Sequence, residues 1–86
     1  MYVFHSDPGH AWLEVPRDEL KKLGILSDIS CFSYQDGESV FLEEDCDFPI
    51  FLEAKKKVGQ KFDKSSYVEE HTNSDSYIRN LKSYRQ

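Results

Sequence analysis

The pair Asp36-Gly37, set between Phe32-Ser-Tyr-Gln35 and Glu38-Ser-Val-Phe-Leu-Glu43, constrains this chain more than any other stretch. Glycine takes the positive φ that a tight turn needs and aspartate tolerates the position beside it, so the segment reads as two antiparallel arms of a β-hairpin. The two-residue period of the second arm, Ser39 to Glu43, places Val40 and Leu42 on one face and Phe41 and Glu43 on the other. That arm runs directly into Glu43-Glu-Asp-Cys-Asp47. Pro49 suits the first turn of a helix, where a missing N–H is harmless, and Asp47 stands where an N-cap belongs.

The remaining elements arrange themselves around this hairpin. Tyr2-Val-Phe-His5 has the aromatic and β-branched content of a strand, Asp7-Pro-Gly9 makes a turn, and Ala11 to Val15 alternates as a second strand. In that strand Ala11, Leu13 and Val15 share one side and Trp12 and Glu14 the other, leaving Trp12 either a lid on the core or an exposed contact residue. A first helix is predicted over Pro16 to Leu23, with Asp18 and Glu19 at its positive end, Lys21 and Lys22 at its negative end and Gly24 as its stop. A second spans Phe48 to Val58, its apolar residues near helical spacing and Lys55, Lys56 and Lys57 forming a solvated basic end. Beyond Gly59 the pattern weakens: Phe62 and Ser66 to Glu70 offer one more edge strand, and Tyr77 to Tyr84 carries apolar residues that pack the tail back onto the sheet. The expected fold is a single α+β domain over residues 1–86, a small antiparallel β-sheet of four to five strands with two α-helices on one face, and residues 60–86 less regular.

Composition narrows the function classes. Eleven basic and sixteen acidic residues give a formal charge of −5. That balance argues against a general nucleic-acid binder, whose affinity comes from Lys and Arg displacing counterions, and favours a basic protein surface as partner. No apolar run reaches the roughly 18 residues of a membrane span and no secretory signal pattern is present, so a cytoplasmic protein without membrane contact is expected. Cys31 and Cys46 form no C-x-x-C pair, which leaves neither a zinc ribbon nor a redox motif to argue, and no metal or other cofactor is expected. Lone cysteines of this kind are most often small core residues, while a disulfide between the two stays open because they flank the hairpin.

Three constellations can carry chemistry. His5-Ser-Asp-Pro-Gly-His10 gathers two imidazoles, a hydroxyl and a carboxylate at one turn, although Asp7 and Ser6 there serve first as caps of their own backbone. His71-Thr72-Asn73 with Ser76 and Arg79 holds a single His-x-Thr; a small hydrolase or phosphate-binding protein built on His10, His71 and Arg79 requires those three side chains to meet in one cleft. The acids Glu43, Glu44, Asp45 and Asp47 lack the Gly-centred spacing of a calcium loop and read either as a solvated corner favouring a helix N-terminus or as a patch for a partner's Arg and Lys.

Several of these motifs also occur together in a known group. Ser6-Asp-Pro-Gly-His10, Trp12-Leu13, Gly24-Ile25, Ile29-Ser30, Ser33-Tyr-Gln35, Gly37, Leu42-Glu-Glu-Asp-Cys-Asp47, His71-Thr72, Ile78-Arg79 and Ser83-Tyr84 resemble a family of small uncharacterised proteins carried by phages, prophages and plasmids. Ala11 stands where that pattern has glycine, and residues 61–70 match poorly. The resemblance transfers no catalytic residue. It implies a mobile-element setting, in which small acidic proteins often act as stoichiometric inhibitors of host defence, anti-CRISPR proteins among them. The leading expectation is therefore a non-enzymatic inhibitor of a host or defence-system protein such as a Cas effector, with Glu43, Glu44, Asp45 and Asp47 supplying charge and Trp12 and Tyr34 aromatic anchors. A homo-oligomeric assembly factor is the remaining alternative.

Overall fold

Burial along the two central strands decides the architecture. In a computed structural model describing residues 1–86, the chain forms β1 (Tyr2–Ser6), β2 (Ala11–Pro16), α1 (Arg17–Lys22), β3 (Tyr34–Asp36), β4 (Ser39–Glu43), α2 (Phe48–Lys57), β5 (Tyr67–His71) and β6 (Lys82–Ser83), with short 3-10 turns at Leu26–Asp28, Lys64–Ser66 and Tyr77–Asn80. β2 and β4 lie side by side, and Trp12, Leu13, Val15, Val40, Phe41, Leu42 and Glu43 are all buried. Residues of both parities are covered, so neither face of the sheet is open to water at its centre.

One face carries the main core. Leu13, Val15, Val40 and Leu42 pack there with Leu20 of α1 and Phe51 and Ala54 of α2, joined by Ile25, Ile29 and Tyr84. Each helix follows its sequence signals: α1 starts after Pro16 with acids in its first turn and lysines in its last, and α2 begins at Phe48-Pro49. Lys55 departs from the solvated lysine end expected for α2. It is buried, with its ammonium donating to Glu19 Oε2 at 2.8 Å, Gln60 Oε1 at 2.7 Å and the Tyr2 hydroxyl at 3.1 Å.

The sheet has six strands in the order β5-β1-β2-β4-β3-β6, more than the four to five expected, and it is mixed, not antiparallel throughout. β5 runs parallel to β1, with Tyr67 opposite Tyr2 and His71 opposite Ser6. Aromatic packing explains the direction. Phe62, on the connection out of α2, sits against the rings of Tyr2, Phe48 and Phe51 at 5.4 to 5.8 Å and stacks on Tyr67 at 5.7 Å. The returning chain is thereby fixed at the Tyr2 end of β1 and enters the sheet in the same direction as that strand. The central turn matches its sequence reading: Gly37 has φ of 59° and joins β3 to β4.

The second face is covered by the C-terminal segment. Trp12 and Phe41 pack with Ile78 of the Tyr77–Asn80 turn, flanked by Tyr34 and Leu81, and β6 then pairs with β3. Trp12 is thus a lid residue and not an exposed contact, being 2% accessible. The two cysteines correct the sequence expectation in the other direction, since both are exposed free thiols. No helix is long and apolar enough to cross a membrane.

Ile78 is the fully buried residue of its turn and packs on Trp12 and Phe41, with the more exposed Tyr77 ring edge-on to Phe41. Ile78→Ala is expected to destabilise the fold by about 2–5 kcal/mol and to shift the emission of Trp12, the single tryptophan, to longer wavelength. Urea unfolding followed by fluorescence checks both; an unchanged midpoint and spectrum would show that the tail does not close this face.

Candidate functional site

Asp7 follows the end of β1, and its side chain is fully buried. As the turn chemistry predicts, Oδ1 accepts the backbone N–H groups of Gly9 and His10, each at 2.9 Å. The same carboxylate accepts two further bonds from Arg79, Nε to Oδ2 at 2.6 Å and Nη2 to Oδ1 at 2.8 Å, and one from the Ser76 N–H at 2.9 Å. A forked guanidinium on a carboxylate is among the stronger polar contacts available to a protein, and here it ties the tail to the first hairpin turn. Arg79 beside Asp7 holds its carboxyl well below the usual range, against the opposing effect of burial. Asp7 in turn raises Arg79. Gly9 leaves room for the approach: a Cβ there would come within 2.8 Å of Arg79 Nη2, so the guanidinium would have to shift from its place on Asp7.

The guanidinium so placed lies 5.7 Å from the centre of the Trp12 ring, a cation–π contact. Around it opens a cavity of about 300 Å³. Trp12, Tyr34 and His10 form aromatic surfaces, with Tyr34 edge-on to Trp12 at 6.2 Å and His10 tilted to it at 6.1 Å. Phe32, 65% exposed, adds a fourth ring, and Glu43, Asp45 and Cys46 supply the polar lining opposite in character to Arg79. The Trp12 indole N–H is buried and has no hydrogen-bond partner.

The acidic corner is less displayed than its sequence suggests. Glu43 is 8% exposed, and its Oε1 accepts the N–H groups of Asp45 and Cys46 at 2.8 Å each, capping the turn that leads to α2. Its Oε2 stands 3.7 Å from His10 Nδ1. Asp47 is 1% exposed and does not cap α2 through its side chain. It accepts instead from Ser30 N–H at 3.0 Å, Ser30 Oγ at 2.7 Å and Ser33 Oγ, fastening the loop before β3 to the start of the helix. Asp45 is left as the exposed acid of the corner, with Glu44 half-buried beside it. One oxygen from each of Glu43, Glu44 and Asp45 lies within 4.8 Å of the others, an arrangement able to meet a cation. Burial, then the charges of Asp45 and Glu43, push the Glu44 carboxyl up, and burial with Glu43 pushes the Cys46 thiol up.

The histidines do not assemble as the hydrolase alternative requires. His10 and Arg79 line the cavity just described, whereas His71 lines a separate one of about 230 Å³ with Ser6, His5 and Asp75. Ser6 Oγ is 2.8 Å from His71 Nδ1 across the β1–β5 pairing, and no third group fixes the ring as an activated nucleophile demands. His5 is engaged with Glu14 at 2.9 Å. Of the residues singled out from sequence as partner-binding, Trp12, Tyr34, Glu43 and Asp45 share one cavity, and Glu44 and Asp47 do not line it. Sequence reasoning missed Phe32 and the pairing of Asp7 with Arg79, which no local pattern signals because the two are 72 positions apart. No family model, curated protein or solved structure matches the chain.

Because Asp7 is depressed in the folded protein, the unfolded chain takes up its proton first as pH falls. The stabilisation is fully present above the ordinary aspartate value of about 3.9 and is lost as pH drops through the folded value. Wild-type stability should therefore decline with pH below about 4 more steeply than that of Asp7→Asn, by up to about one proton per unfolding event. Urea midpoints between about pH 2 and 5 test this, and parallel pH profiles would remove Asp7 from the account.

Proposed function

We propose that the protein is a non-enzymatic binding module that acts stoichiometrically on a partner with a basic surface, using the cavity beside Arg79 as its contact. The observation that carries this reading is the convergence of Trp12, Tyr34, Glu43 and Asp45 on one cavity next to the exposed ring of Phe32. Protein interfaces draw their affinity from a few aromatic anchors in desolvated pockets, surrounded by polar groups that set orientation and partner choice. The net charge of −5 favours approach to a positive surface and penalises an anionic one. The resemblance to small mobile-element proteins directs the reading toward counter-defence, with the basic nucleic-acid channel of a Cas effector as the type of surface engaged. Nothing in the separation of His71 from His10 and Arg79 favours turnover chemistry.

Titration of purified Cas effectors and other basic defence proteins against this chain tests the proposal by calorimetry. A 1:1 complex that weakens as salt rises is expected, with Phe32→Ala and the pair Glu44→Lys with Asp45→Lys each reducing affinity at least about tenfold. These positions avoid the buried Glu43 and Asp47, so the fold should persist. Affinity indifferent to salt and to both variants would reject the proposal.

A further inference from the structure

We infer that this cavity receives an arginine side chain of the partner, its guanidinium stacked on the Phe32 and Tyr34 rings and bonded to the Glu43 and Asp45 carboxylates; the inference rests on the binding function proposed above. Glu43 is the first reason. Its side chain is nine-tenths buried and held by two N–H groups on Oε1, while Oε2 has only His10 Nδ1 at 3.7 Å and no hydrogen bond of ordinary length. That oxygen is not sealed from water, since the side chain keeps a tenth of its surface and lines the cavity, and the group that competes best with water for it is a charged donor.

Charge supplies the second reason. Arg79 lines the same cavity, but its forked bonds to Asp7 offset its charge, so Glu43 and Asp45 leave the lining negative. An anionic ligand would face both carboxylates. The preference for arginine over lysine comes from shape: guanidinium is flat, weakly hydrated and presents N–H groups along its edge while its face lies on a ring. Trp12 already accepts one guanidinium, that of Arg79, at 5.7 Å, and Tyr34 and the exposed Phe32 offer further rings. A space of about 300 Å³ suits one long side chain and is at the lower limit for a larger ligand.

The test is an NMR titration of the isotope-labelled full chain with a capped Gly-Gly-Arg-Gly-Gly peptide, alongside peptides carrying lysine or citrulline at the central position. Trp12 being the single tryptophan, its indole N–H gives one reporter signal from the cavity wall. The arginine peptide should shift that signal and the Asp45 and Cys46 amides saturably, and at least tenfold more tightly than either analogue. Glu43→Gln combined with Asp45→Asn should weaken it at least tenfold; glutamine keeps an acceptor for the Asp45 and Cys46 N–H groups, and the variant's spectrum reports whether the fold is retained. Equal binding of lysine or citrulline, or no saturable shift up to about 10 mM peptide, overturns the inference. Failure here with partner binding still sensitive to Phe32→Ala and to salt leaves the proposed function standing and removes arginine as the group received. Peptide binding without any basic partner overturns the function and leaves the pocket.

Discussion

A buried carboxylate at residue 7 and a guanidinium at residue 79 meet in two short parallel bonds, and most of what is distinctive in this molecule depends on that meeting. Asp7 gathers five donors: two from its own turn, one from the Ser76 backbone and two from Arg79. Its burial would be unfavourable without them, and with them it becomes the point at which the two ends of the chain are joined. Ser76 then caps the following turn by accepting from the Ile78 N–H, and Ile78 drops onto Trp12 and Phe41. The ion pair thus fixes one end of a tail segment whose other end is anchored by β6 on β3 and by the buried Tyr84, and the segment between them packs the second face of the sheet.

A domain of this size has little interior to divide, and it divides it unequally. Ten buried residues sit between sheet and helices, three lie beneath the tail. The smaller cluster is the one beside the cavity, so the surface proposed to meet a partner is built on the part of the fold with the least hydrophobic support. That places a premium on polar order: Glu43 caps the corner turn, Asp47 holds the loop carrying Phe32, and Ser33 links the two by donating to Asp47 and accepting the Glu43 N–H. The acids at this corner have a structural role before any role in recognition.

Local physics was readable in the sequence and long-range physics was not. Alternation in Ala11 to Val15 and Ser39 to Glu43 set Leu13, Val15, Val40 and Leu42 apart from Trp12 and Phe41, as the two core clusters do, the Asp36-Gly37 turn is where glycine's freedom put it, and both helices run within two residues of their cap and charge signals. The edge strand read at Ser66 to Glu70 is β5, yet its parallel pairing with β1 depends on Phe62 meeting Tyr2, a contact between distant segments that no pattern in either one encodes. Asp45 is exposed as a run of acids suggests and Glu44 half-buried, whereas Glu43 and Asp47 are buried because serine hydroxyls and backbone N–H groups satisfy them, and serine leaves no periodic trace. Cys31 and Cys46 were misplaced for a related reason, lying in irregular segments where hydrophobicity does not predict depth.

The Asp7–Arg79 pair fastens the tail across the second face and so holds Arg79 in the cavity wall. Native-state hydrogen exchange on Asp7→Asn tests it most directly. In that variant the amides of Ser76, Ile78, Arg79 and Leu81 should lose protection together while those of β2 and β4 keep theirs. Wild-type protection across Ser76 to Leu81 in that variant would contradict it.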